Sequence, residues 1–197
     1  MRVKITQPPH LILDDFFQVE AVQLQFERFD GQMSPEVRRL NFRRGDSVAA
    51  LLYHRDSGQL ILVNQFKYPT YHNSLNPAQR GWITEVIAGV REAEEDPAEA
   101  MQREILEETG YRVPQLTPVS TFYLSPGGTS ERLFLYYGEV RDPDKIAPGG
   151  GVPSEAEDIR LLYYTPEEAF ALLARGEIVD AKTIIALMWF KEKQASL

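Results

Sequence analysis

The 197-residue chain has no cysteine. That single absence excludes a disulfide framework, thiolate zinc sites and a cysteine nucleophile. Histidine is scarce as well: His10, His54 and His72 are scattered, with neither the HxxxH nor the HExxH spacing of a zinc hydrolase. No GxSxG elbow is present, and the glycines at 149–151 lack the Lys-Ser/Thr that completes a P-loop. Long apolar runs are missing too. The longest, residues 184–190, has seven residues and cannot span a bilayer. The opening MRVKITQPPH carries no apolar signal core, so the expectation is a cytoplasmic protein without a membrane partner. Basic residues are in deficit, 21 against 29 acids, for a formal charge of −8. Phosphate backbones attract basic surfaces, so no nucleic-acid partner is expected.

The charge that is present is unevenly spread. Residues 91–110 (REAEEDPAEAMQREILEETG) hold eight acids and two bases, while residues 28–44 hold five arginines and two acids. Alternation of Val22, Leu24 and Phe26 with polar neighbours predicts a half-buried strand, and Asp30-Gly31 predicts a turn, giving a hairpin arm over residues 18–42. Apolar runs at 48–53 and 60–66 flank Asp56-Ser57-Gly58 as a second hairpin; 82–88, 119–124 and 133–140 are further strand candidates. Asp96, Pro97 and Glu99 predict the start of a helix that ends at Gly110. Thr165, Pro166 and Glu168 repeat the device before Gly176, and a third helix starts near Ala181. Helices interleaved with strands indicate an α/β sandwich. Residues 143–153, with three consecutive glycines, are expected to form a mobile surface loop.

On a helical wheel Glu104, Glu107 and Glu108 fall within a wedge of roughly 100°, beside an apolar stripe of Ala98, Met101 and Ile105. Like charges so close destabilise a helix unless a cation joins them. Arg103 supplies part of that compensation; a hard divalent ion with oxygen ligands supplies more. A solvated acidic face is the bland alternative.

The residues around the wedge decide between the two. Gly89, Glu95, Arg103-Glu104, Ile105, Glu107-Glu108, Gly110 and Tyr111 fit the pattern G-x5-E-x7-R-E-U-x-E-E-x-G-U, with U apolar, at every position. Seven positions demand one residue type, so chance agreement is on the order of 10⁻⁸ per starting point. The pattern resembles the Nudix box. FDGQMSPEVRR, SPGGTSER and SEAEDIR extend the resemblance over most of the chain, toward the ADP-ribose pyrophosphatase and GDP-mannose hydrolase branch. Pro126 lies 16 residues after Gly110, as in the ADP-ribose enzymes, whereas Ile87 stands where that branch commonly has proline. GGGV at 149–152 and DAKT at 180–183 lean toward the GDP-mannose relatives.

The resemblance implies a Nudix α/β/α sandwich with a mixed sheet over residues 45–197, and an N-terminal β arm over residues 1–44 that forms a homodimer. It implies hydrolysis of a nucleoside diphosphate sugar, ADP-ribose to AMP and ribose 5-phosphate or else GDP-mannose, with Mg²⁺ or Mn²⁺ as cofactor. By the same resemblance Glu104, Glu107, Glu108 and the Ala88 carbonyl hold metal, with Gly89 letting the chain turn so that this carbonyl faces the helix. Arg103 orients the glutamates, and Glu131 in SPGGTSER, or a box glutamate, serves as general base. Gly127 and Gly128 lend that loop mobility. Arg38, Arg39, Lys67, Glu85, Pro126 and Gly127 match substrate-binding positions, and Phe16 or Phe17 is a candidate for stacking on the base. Arg43 and Arg44 are expected to be surface charges. A sensing module that binds without cleaving is the alternative of another class; such modules usually lose box glutamates, all of which are retained here.

Overall fold

In the computed structural model, residues 1–75 and 77–195 are described. The chain divides into two compact units, Met1–Asp46 with Tyr123–Arg132, and Ser47–Phe122 with Leu133–Leu197.

The first unit is an antiparallel sheet in the order β1 (Val3–Asp14), β2 (Gln18–Phe26), β3 (Val37–Arg43). The Asp30-Gly31 turn forms as expected: Gly31 takes φ +80°, which favours glycine, and Asp30 Oδ1 accepts the Gln32 N–H at 3.0 Å. β1 adds a strand that the hairpin reading did not include. Its residues are exposed almost throughout, so it offers no alternation of buried and exposed positions.

The second unit is built on a mixed sheet. β4 (Ser47–His54) and β5 (Gln59–Phe66) form the expected hairpin; β6 (Trp82–Glu85), β7 (Ile87–Val90), β8 (Leu116–Tyr123), β9 (Arg132–Val140) and β10 (Arg160–Tyr164) complete it. The order is β10-β5-β4-β9-β8, with β4 and β9 parallel. β4 changes partner along its length. Residues Ser47 to Ala50 pair with β7, and Leu52 to His54 pair with β5. β5 in turn pairs with β6 beyond that point. The run 82–88 is therefore two strands rather than one, parted at Val86, where the sheet opens.

Helices cover both faces. Ala100, Met101 and Ile105 of α2 (Pro97–Thr109) pack on Val48, Ala50, Leu52 and Ile87 in one fully buried cluster. On the other face Tyr53 and Tyr137 meet Phe190 of α4 (Ala181–Ala195), alongside α3 (Pro166–Ala174). A short helix, α1 (Tyr68–His72), follows β5. α2 and α3 start at the expected caps, but Glu99 does not close the capping box expected of it; of the two, only α3 has a reciprocal one. Asp96 Oδ1 accepts from the N–H groups of Ala98 and Glu99, and Thr165 and Glu168 close a reciprocal capping box.

Candidate active site

The carboxylates of α2 are held by what terminates that helix. Gly110 adopts φ +73°, and a Cβ there would run into the Ala147 carbonyl. Each of the last helical carbonyls then finds a donor. Gly110 N–H serves Leu106, Gly151 N–H serves Glu107 at 3.1 Å, Gly150 N–H serves Glu108 at 2.8 Å, and Lys145 Nζ serves Thr109. Helix ends leave such acceptors orphaned unless something outside supplies donors. Residues 143–153 are thus not the mobile loop expected from their glycines. They form a collar that fixes the end of the helix bearing Glu107 and Glu108. Gly149, at φ +72°, lies against the Thr109 and Glu108 backbone, so a side chain would not fit.

Gly89 also has a role different from the one expected. It lies on β7, paired with Val48, and its φ is not in the left-handed region. A Cβ at this position would overlap the Glu104 carboxylate. The glycine therefore makes room rather than a turn, letting Glu104 lie directly on the β7 backbone next to Ala88.

Arg103 holds the outer part of the cluster. Its guanidinium donates to Glu104 at 2.8 Å, Glu107 at 3.1 Å, Glu95 at 3.2 Å and the Val90 carbonyl at 3.3 Å. The hydrogen bond from Arg103 lowers the Glu95 carboxyl below its ordinary value, and the bond to Glu95 in turn raises the guanidinium. Glu95, the second fixed residue of the box, thus anchors the arginine that orients two others. Glu104 is raised by its burial, an effect that Arg103 opposes.

The inner part is differently placed. Glu108 is 2% exposed, and its Oε2 is buried without a hydrogen-bond partner. Burial, then the nearby charges of Glu85 and Glu104, push its carboxyl well above the ordinary range; Lys67 pulls the other way. Glu85, at the end of β6, is 3% exposed. It receives the Lys182 ammonium on Oε2, while Oε1 has no hydrogen bond and lies 3.8 Å from Lys67 Nζ. Glu157 was not singled out from the sequence. Its charge acts on both Glu104 and Glu108, and Gly151 packs against its side chain. Its place in SEAEDIR, a stretch already quoted, was the available signal.

This arrangement fits a divalent cation. An uncompensated carboxylate oxygen inside a protein is costly. A set made only of oxygens, part buried and part exposed, suits a hard ion. Glu104, Glu107, Glu108, the Ala88 carbonyl and Glu157 are the residues that could hold it. Among the described residues, no three of the box carboxylates bring ligating atoms within 4.8 Å of one another; the group that does is His54, Asp56 and Asp142, elsewhere in this unit. There His54 Nδ1 accepts the Ser57 N–H, and the Arg141 guanidinium, 3.7 Å from Asp56, already supplies positive charge.

The other candidates lie in the first unit. Glu131 is buried and paired with Arg44 at 3.5 Å, so Arg44 is more than the surface charge expected of it. Arg43 pairs with Glu20, also at 3.5 Å. Arg38 and Arg39 are exposed and consecutive on β3, so they project to opposite faces of that sheet. Phe16 is 88% exposed and meets Phe17 edge to face, and Phe17 meets Phe42. Pro126 and Gly127 lie in a turn closed by the Gly128 and Thr129 N–H groups on the Ser125 carbonyl. The turn is tied to β3, where Phe42 N–H reaches the Gly128 carbonyl at 2.8 Å and Ser130 N–H reaches Asn41 Oδ1 at 3.0 Å. That pins one side of the loop expected to be mobile.

Comparison with known proteins agrees with this geometry. The NUDIX domain profile matches residues 43–187. The ADP-ribose pyrophosphatase of Escherichia coli is 35% identical over 176 residues, covering 89% of this chain and 82% of that protein. The GDP-mannose pyrophosphatase of Pectobacterium atrosepticum is 36% identical over 177 residues, covering 90% and 88%. A solved structure, described as an ADP compounds hydrolase, superposes with a TM-score of 0.68 at 20% identity over 98% of this chain and 97% of its own. With the box residues assembled on one helix and its facing strand, and a profile match over most of its length, the chain belongs to the NUDIX family.

Proposed function

We propose that the protein is a metal-dependent pyrophosphohydrolase that cleaves the diphosphate of a nucleoside diphosphate sugar, ADP-ribose to AMP and ribose 5-phosphate foremost. The carrying observation is the Glu108 carboxylate, buried on the face of α2 with an oxygen that lacks a hydrogen bond. GDP-mannose, yielding GMP and mannose 1-phosphate, is the second reading. Relatives of both names match at nearly equal identity, 35% and 36%.

Glu104, Glu107, Glu108 and the Ala88 carbonyl would hold Mg²⁺, or Mn²⁺, and Glu157 would add a further oxygen. A cation held there would neutralise charge on the diphosphate and make water more acidic. The chain's own residues do the remaining work. Arg103 keeps Glu104 and Glu107 in orientation. Lys67 adds positive charge for a phosphate, and Glu85 accepts a hydrogen bond from the substrate. Arg38, Arg39, Pro126, Gly127 and Phe16 contribute to the substrate site, Phe16 by stacking on the base. Glu131 is the general base by resemblance. Its pairing with Arg44 favours a second source within the glutamate cluster, where Glu157 acts on Glu104 and Glu108. Glu131→Gln separates the two: kcat falls while Mn²⁺ affinity stays if Glu131 is the base, and unchanged kcat moves the role to the glutamate cluster.

The protein works in the cytoplasm as a homodimer through its N-terminal arm. In the first unit the buried positions among the described residues are Ala21, Ser34 and Glu131, while Leu11, Ile12, Leu13 and Leu40 are exposed. A sheet with so little core gains from burial against a second copy. Light scattering showing a monomer contradicts this part.

Hydrolysis of ADP-ribose, GDP-mannose, ADP-glucose, NADH and diadenosine polyphosphates with Mg²⁺, read as inorganic phosphate after added alkaline phosphatase acts on the monoester products, tests the reading. Hydrolysis of ADP-ribose above the rest is expected. No hydrolysis of any member overturns it and favours a binding module.

A further inference from the structure

The first turn of α4 bears directly on the carboxylate cluster. Asp180 caps the helix, Oδ2 accepting the Thr183 N–H at 2.9 Å and the Thr183 hydroxyl at 2.6 Å. That hydroxyl accepts the N–H of Val86 at 2.9 Å. Val86 is the residue between β6 and β7, where the sheet opens and a ladder bond is lost. Asp180 Oδ1 accepts from Lys182 Nζ at 2.9 Å, and Lys182 donates a second bond to Glu85 Oε2. Lys182 is 12% exposed at its side chain, against 44% for Lys67, the other cation near Glu85. Burial alone would lower its ammonium, and Glu85 and Asp180 more than reverse this. One turn of helix thus clamps the strand junction and places a fixed positive charge behind Glu85.

That placement has a consequence for Glu85. It is one of several buried carboxylates acting on one another, since its charge and that of Glu104 both act on Glu108. Glu85 Oε1 and Glu108 Oε2 are both buried without a hydrogen bond, so each is an oxygen open to a cation or to a donor. Lys182 occupies Oε2 only, and Oε1 is left with no hydrogen bond. We propose that Lys182 is a positioning residue: it withholds Glu85 from the cation and presents Glu85 Oε1 to a hydroxyl or N–H donor of the substrate. This gives the DAKT stretch, otherwise without an assigned task, a role in dividing the buried carboxylates between metal and substrate. The inference rests on the hydrolase reading for its substrate half and on the metal cluster for the other.

Mn²⁺ binding followed by electron paramagnetic resonance, with steady-state kinetics on ADP-ribose and GDP-mannose, tests it in Lys182→Met and in Lys182→Met combined with Glu85→Gln. In the single variant Mn²⁺ binds about threefold tighter or more, because an uncompensated carboxylate joins the cluster. KM rises about tenfold, because the acceptor is no longer fixed. In the double variant Mn²⁺ affinity returns to within about twofold of the unsubstituted protein while KM stays high. A merely structural lysine gives another pattern: Mn²⁺ binding that weakens alongside Tm in both variants overturns the proposal. So does a single variant unchanged in both affinity and KM. Should the single variant fail to fold, the double variant decides, and an ordinary KM there overturns the proposal. If the unsubstituted protein hydrolyses neither sugar nucleotide, the hydrolase reading fails, and the Mn²⁺ comparison still decides whether Lys182 withholds Glu85.

Discussion

Glu107 and Glu108 are neighbours on one helix, yet the structure treats them in opposite ways. Glu107 is about a third exposed and receives a hydrogen bond from Arg103, which also serves Glu104 and Glu95. Glu108 is buried, meets other carboxylates, and keeps an oxygen without a hydrogen bond. The outer half of the cluster is settled by a cation of the protein itself. The inner half keeps an oxygen with no such partner. A solvated acidic face would show the first arrangement throughout, so the difference separates a site from a surface.

The contrast can be broken from either side. Glu108→Gln removes the inner half, and the expected loss in kcat/KM is about 10³-fold, several kcal/mol of charge stabilisation. Steady-state kinetics with folding checked by circular dichroism reads it. Gly89→Ala leaves every carboxylate in the sequence but pushes Glu104 off the strand. Activity should fall about 10²-fold and stability by about 1–3 kcal/mol. Wild-type activity in that variant would mean that Glu104 does not need its place on β7. Arg103→Ala unsettles the outer half only, and should cost about 10–100-fold with weaker Mn²⁺ binding.

How much of this was visible in the sequence depends on the range of the interaction. The ends of α2 and α3 were legible because Asp96, Thr165, Glu168 and Gly110 act within a few residues of themselves. The box residues were legible because one helix and a preceding strand carry them at fixed spacing. Val86 was not legible as a strand break, since its N–H is taken by Thr183, far along the chain. The collar was misjudged for the same reason. Its glycines signal freedom locally, and only the carbonyl ends of α2 make them fixed. Glu157 and Lys182 joined the site through tertiary packing that no periodicity announces.

Smaller effects sharpen the comparison. Gly149→Ala strains a left-handed position against the helix end and should cost about 1–3 kcal/mol, read as a lower Tm. The pH dependence of the cation-free protein isolates Glu108. Its carboxyl is raised in the folded state, so the folded protein takes up its proton more readily than the unfolded chain does. The penalty is therefore full above the raised value, and it fades as pH falls through that value toward the ordinary carboxylate range. Cation-free Glu108→Gln should melt above the wild type at pH 8, with the gap closing on acidification. A gap that widens toward acid would mean that Glu108 is settled by a partner.

We propose that the buried half of the carboxylate cluster seats a divalent cation. Titration of the cation-free protein with Mn²⁺, followed by electron paramagnetic resonance beside Glu108→Gln, tests this. Saturable binding that Mg²⁺ displaces, and that the folded variant lacks, is the predicted result. Equal binding by both proteins, or no saturable binding by either, would contradict it.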